Sequence, residues 1–155
     1  MIRFSRKVEY ALIAMLEMST QQEKGQLVTA KSLAMQYEIP SEILGKVLQT
    51  LVKNGLLLSV QGMKGGYTLA STPQKINLWQ VVQAVDGPVL VVPCLAETID
   101  ECGQYQHCNI RTPMQIVQTQ LELFFSKISL LDIRKEYLSQ FVDKKAASAQ
   151  HSAQA

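Results

Sequence analysis

A chain of 155 residues that is 47% hydrophobic can bury a true core, which excludes an intrinsically disordered protein and favours one domain, or a small domain with an appendage. The formal charge is only +2, but residues 1–75 carry nine Lys/Arg against five Asp/Glu while 76–155 carry six against eight, so the front half is the better match for a polyanion. Glu9 and Glu17 interrupt the apolar N-terminal stretch and argue against an export signal, and no segment reaches the length of a membrane span. A reducing cytoplasm is therefore the expected setting, where clustered cysteines bind metal or sense redox state more often than they form structural disulfides.

From Ser5, a cap residue, Val8, Ala11, Leu12, Met15 and Leu16 recur at helical spacing and predict a helix over 6–19, ended by the polar run Thr20 to Gln26. Thr29 caps a short helix over 30–36 with Leu33 and Ala34 on its apolar face. Tyr37, Glu38 and Ile39 turn the chain into Pro40, which suits the first position of a helix over 40–53 because its missing N–H costs nothing there. That helix has Ile43, Leu44, Val47, Leu48, Leu51 and Val52 on one face and Glu42, Gly45, Lys46, Gln49, Thr50 and Lys53 on the other, and Asn54-Gly55 closes it. Leu56–Val60 and Tyr67–Ala70 then flank the glycine-rich run Gln61 to Gly66 as a hairpin.

Helix, helix, turn, helix, hairpin is the order of a winged helix-turn-helix. Two short helices bury their apolar faces and hold the second outward, where its polar face enters the major groove of double-stranded DNA, and the hairpin reaches the flanking backbone or minor groove. The candidate readers are Ser41, Glu42, Lys46 and Gln49 on the helix, with Gln61 and Lys64 at the wing tip. Gly45 costs a helix interior about 1 kcal/mol and would let the backbone approach DNA closely. The same pattern also occurs in helical bundles that touch no DNA, with Lys46 and Lys53 solvating an exposed face.

Asn77 to Val85 fits another helix, stopped by Asp86-Gly87-Pro88, with Trp79 in its core. Val89–Val92 lies between two prolines and should run extended to Cys94. Past Cys108, a long helix from Thr112-Pro113 bears Met114, Val117, Leu121, Phe124, Phe125 and Ile128, which suits a dimerisation surface or an internal core helix. Ser129 caps a final short helix to about Phe141, and Lys144 to Ala155 reads as a disordered tail. The expected architecture is mainly α with a small β-hairpin wing, divided into a DNA-binding domain (1–75), a cysteine loop with dimerisation helix (76–141) and a tail (142–155).

All three cysteines, Cys94, Cys102 and Cys108, fall in one stretch with the spacing Cys-x7-Cys-x5-Cys. On a continuous helix they would not share a face, so their convergence requires a loop. Soft thiolates select zinc, copper(I) or iron–sulfur clusters, and the close Cys pairs of structural zinc sites are missing. Three widely spaced thiolates suit an iron–sulfur cluster with one position left for a different ligand. His107 neighbours Cys108, and adjacent side chains point apart, so it is a surface or supporting histidine. Free thiols without metal, acting as a redox switch, or a zinc site are the alternative. An enzyme is not expected, because no histidine-plus-carboxylate set accompanies a thiol.

The chain resembles the IscR and NsrR type of bacterial winged-helix regulators, the Rrf-two family, up to about residue 141. The resemblance rests on Phe4 to Leu12, on Ile39-Pro40 to Leu56, on the wing Gly62-Met63-Lys64-Gly65-Gly66-Tyr67-Thr68-Leu69, on Ala84-Val85-Asp86-Gly87 and on the three cysteines. It implies a homodimeric transcription factor, a repressor, that binds a palindromic operator and holds a [2Fe-2S] or [4Fe-4S] cluster by three cysteines and a non-cysteine ligand. The branch that regulates cluster biogenesis uses a histidine three positions after the last cysteine, where this chain has Arg111. The nitric-oxide-sensing branch and a related redox-sensing one use a carboxylate in the first helix of the other subunit, and Glu9 occupies that position. Gly45 stands where the biogenesis branch has a glutamate and Gln61 where it has an arginine, so the operator does not carry over.

Overall fold

A computed structural model describes residues 3–95, 102–137 and 139; the tail expected at 142–155 and Phe141 lie outside them. Helix α1 (Arg6–Gln22) begins where Ser5 Oγ accepts the Val8 N–H at 3.2 Å. It runs three residues beyond the expected end, because Gln21 donates to the Glu17 carboxylate one turn back and Thr20 to the Leu16 carbonyl. Polar residues that bond along the helix extend it, and the chain turns only at Gly25, where φ is 67°.

Helix α2 (Ala30–Gln36) is capped by Thr29, whose hydroxyl accepts the Ser32 N–H. Glu38 adopts a left-handed φ of 52° and swings the chain into α3 (Ser41–Lys53). Pro40 is the cap of α3 rather than its first residue. Its ψ of 120° is extended, and its carbonyl accepts the Leu44 N–H. Leu44, Val47, Leu48 and Leu51 are buried, but Ile43, expected beside them, is exposed. At 3.6 residues per turn it lies about a quarter turn from the centre of that face.

Gly55, at φ 73°, closes α3, and β1 (Leu57–Val60) pairs antiparallel with β2 (Gly66–Leu69), Leu57 opposite Leu69 and Val60 opposite Gly66. Leu56 and Ala70 fall just outside the strands, although the Ala70 N–H still donates to the Leu56 carbonyl. Val28 exchanges two backbone hydrogen bonds with Tyr67, which fastens the segment after α1 to the wing. This explains the second glycine of the pair, and the tight turn itself explains the first. A Cβ on Gly66 would stand 2.8 Å from the Val28 carbonyl oxygen, and one on Gly65 2.3 Å from that of Val60.

Helix α4 (Leu78–Asp86) opens with a reciprocal cap between Asn77 and Gln80 and stops at Gly87. Helix α5 (Arg111–Lys127) starts one residue before the expected Thr112, and a last helix, α6 (130–137), is capped by Ser129 and Asp132. Backbone bonds from Leu78 to Ile128 and from Leu130 to Ile76 tie the end of α5 to the start of α4, and Arg134 on α6 donates to Ser19 and pairs with Glu23 on α1.

One core joins Met15, Met18, Leu33, Leu44, Leu48, Leu51, Leu57 and Leu69 with Val81 of α4 and Leu130 of α6. A smaller one, Val8, Leu78, Val82 and Phe125, seats α5 against α1 and α4, with Phe4 and a half-buried Trp79 around the Phe125 ring. The architecture is mainly α with a two-stranded wing. No helix among the described residues is long and apolar enough to cross a membrane.

Candidate nucleic-acid interface and cysteine strap

The buried row of α3 fixes which side faces out. Ser41, Glu42, Lys46, Gln49 and Lys53 are all exposed, and so are Gln61 and Lys64 on the wing. Lys46 pairs with Glu42 one turn back at 2.9 Å, an exposed ion pair that holds the lysine loosely. The fold brings Gln49 and Gln61 onto one groove between α3 and the wing, whereas Lys46 lies at a second hollow with Lys7, Ile43, Thr50 and Val85. A Cβ on Gly45 would meet nothing within 4 Å, so no contact inside the chain requires glycine there.

The segment from Gly87 to Cys94 is a strap laid on α5. Gln118, 8% exposed, accepts the Val91 N–H at 3.0 Å and donates to the Val89 carbonyl at 2.7 Å and to Glu122. Cys94 follows in a 3-10 turn, Pro93–Leu95; Cys102 and Cys108 flank a second such turn, Tyr105–His107. All three thiols are free and partly buried, and His107 is exposed. Residues 96–101 of the cysteine loop lie outside the description. Among the described residues no three Cys, His, Asp or Glu side chains gather closely enough to hold a metal ion, so Glu9 and the thiols form no centre within one chain. Glu9, half-buried in the first turn of α1, accepts from Arg6 at 2.8 Å.

The family described as iron-dependent transcriptional regulators, Rrf2, matches residues 4–136. The chain belongs to the Rrf2 family. It is 30% identical over 134 residues to an rrf2-like HTH-type transcriptional regulator of Rhodobacter capsulatus, covering 83% of this chain and 85% of that protein. It is 28% identical over 140 residues to the regulator IscR of Pectobacterium atrosepticum, covering 89% and 84%. Among solved structures, CymR, the global cysteine regulator of B. subtilis, superposes with a TM-score of 0.68 at 22% identity over 88% of this chain and 98% of that one. T. potens IscR gives 0.66 at 24% identity over 88% of each. These structural likenesses establish the winged-helix fold, and the Rrf2 family is one of transcriptional regulators that bind DNA, not of enzymes.

In this Rrf2 protein several residues of interest had no sequence signal. Gln118 looks like any polar residue on a helix until the strap is seen on it. Ser5 was legible as a cap, but its hydroxyl also donates to Asp86 at 2.6 Å, which ties the turn bearing Glu9 to the end of α4, where the strap begins. Ser59 and Tyr67 on the wing share the groove with Gln49 and Gln61 only because the strand register turns them towards α3.

Proposed function

We propose that the protein is a homodimeric repressor that binds a palindromic operator and responds to nitric oxide, redox state or iron–sulfur status through a [2Fe-2S] or [4Fe-4S] cluster. Ser41, Glu42, Lys46, Gln49, Gln61 and Lys64 face the DNA; Cys94, Cys102 and Cys108 hold the cluster, and Glu9 of the other subunit supplies the fourth ligand. Residues 1–75 form the reader and 76–141 the sensor and dimer arm, in the cytoplasm. The observation that carries this reading is the set of three free, partly accessible thiols, Cys94 at the end of a strap clamped to α5 and Cys102 and Cys108 around the turn that leads into α5. Three soft donors fit such a cluster in chemistry and leave one position to be filled from elsewhere.

When bound, the cluster supplies an iron with an exchangeable oxygen ligand, the corner open to small reactive molecules. The chain's own residues then link the site to the reader. Gln118 fixes the strap to α5, and the Ser5–Asp86 bond fixes the strap's origin to the first turn of α1. Ile116, Val117, Leu123 and Phe124 on α5 remain exposed and supply the apolar face of a dimer. A displaced strap therefore shifts the dimer helix and the spacing of the two α3 helices, which is an allosteric coupling measurable as two affinities.

A second reading has the thiols act as a redox switch or bind zinc without a cluster; the lack of three gathered donors among the described residues favours its redox-switch form, because zinc needs gathered donors as a cluster does. Anaerobic purification with absorption and Mössbauer spectra and iron and sulfide counts separates the two. The cluster reading expects visible iron–sulfur bands that Glu9→Ala alters and His107→Ala leaves unchanged. Equal DNA affinity of the cluster-loaded and cluster-free forms would refute the sensing mechanism.

A further inference from the structure

The groove between α3 and the wing is lined by Gln49, Val52, Lys53, Ser59, Gln61 and Tyr67 and measures about 300 Å3. Its shape follows from the strand register. Ser59 pairs with Tyr67, so both side chains lie on the side of the hairpin that faces α3, while Leu58 and Val60 point away and are exposed. Gln61 Nε2 donates to Ser59 Oγ at 3.2 Å, which keeps two polar groups together at the rim. The lining holds one cation, Lys53, several neutral donors and no carboxylate.

Geometry restricts what can occupy it. A helix in the major groove and a hairpin in the adjacent minor groove are separated by one sugar–phosphate strand, and that strand has to pass between them. We propose that this groove is the seat of that strand. Lys53 neutralises one phosphate, Ser59, Gln61 and Tyr67 donate to its oxygens or those of its neighbour, and Val52 packs against the sugar. The inference rests on the DNA-binding reading and adds to it: contacts of this kind fix the register of the protein on the duplex and carry no base information. Lys53 is therefore a positioning residue, in contrast to Ser41 or Gln49.

The test uses the full-length protein and two labelled duplexes, one selected from a random pool by the wild type and one of arbitrary sequence, with affinity measured by anisotropy across a salt series. Lys53→Gln should weaken both duplexes by the same factor and lower the slope of log affinity against log salt by about 1. Tyr67→Phe, which removes a neutral donor, should weaken both without changing the slope. Lys135→Gln, on exposed α6, should change neither. An unchanged slope for Lys53→Gln, or a loss confined to the selected duplex, overturns the phosphate seat while leaving DNA binding intact. A wild type that binds neither duplex refutes the DNA-binding reading, and the groove proposal with it.

Discussion

The winged-helix half and the strap-plus-α5 half of this chain are built to different degrees of completion. In the first, Met15, Leu33, Leu44, Leu48 and Leu51 are fully buried, α1 and α2 start at side-chain caps, and Gly65 and Gly66 sit where no side chain fits. In the second, Phe125 and Gln118 are the buried residues of α5, while Ile116 and Phe124 are 63% and 60% exposed and the thiols are not gathered. A single chain satisfies the reader on its own but leaves the sensor arm with apolar surface and donors that call for a second copy. The contrast separates what one chain specifies from what an assembly has to supply.

The largest expected effect comes from breaking that assembly. Ile116→Glu combined with Phe124→Glu places four charges in a two-fold interface and removes roughly 6 kcal/mol or more of apolar burial per dimer. Sedimentation at micromolar concentration should then report a monomer whose far-UV circular dichroism still shows the full helix content. An undiminished dimer mass would mean that the exposed row of α5 is not the interface. A smaller effect is expected within the strap: Gln118→Leu removes the hydrogen bonds to the Val91 N–H and the Val89 carbonyl, at about 1 kcal/mol for each of these part-buried bonds. Amide exchange at Val91 and alkylation of Cys94 should both accelerate; unchanged exchange at Val91 would show that the strap is held by other contacts.

The same contrast governs what could be read from the sequence. The caps Ser5, Thr29 and Ser129 act on an N–H three residues away, so local pattern sufficed for them, whereas Asn77, expected inside its helix, turned out to be the cap. The wing was equally local, although the clash that demands Gly66 comes from Val28, some forty residues earlier, and has no local signature. On α5 the apolar positions were legible, but their sides were not. Phe125 packs inward with Leu121 and Ile128 beside it, while Val117 and Phe124 face out, because two neighbouring rows both repeat every three or four residues. The cysteines could be placed in one stretch from their spacing. How they gather with Glu9 of another chain, in the proposed assembly, does not follow from spacing.

A last and smallest test probes how firmly the reader is finished by itself. The Tyr37 hydroxyl donates to Glu17 at 2.7 Å and links α1 to the turn before α3. Burial pushes the Glu17 carboxyl up, but hydrogen bonds from Gln21, Tyr37 and Gln36 outweigh it and hold the group below its ordinary 4.5. Burial, and then the Glu17 charge, pushes the Tyr37 hydroxyl above its ordinary 10. A depressed carboxyl contributes stability above its unfolded value and loses it as the pH falls through the lower folded one. A raised phenol contributes fully below its unfolded value and loses that contribution as the pH rises past 10. Tyr37→Phe should therefore cost about 1 kcal/mol on a plateau between roughly pH 5 and 10. In urea melts the difference from wild type should shrink on both sides of that window. A difference that does not vary with pH would mean that the hydroxyl acts independently of the Glu17 charge, since Tyr37→Phe keeps the ring, and no difference at any pH would mean that the Tyr37–Glu17 hydrogen bond contributes nothing to closing the reader.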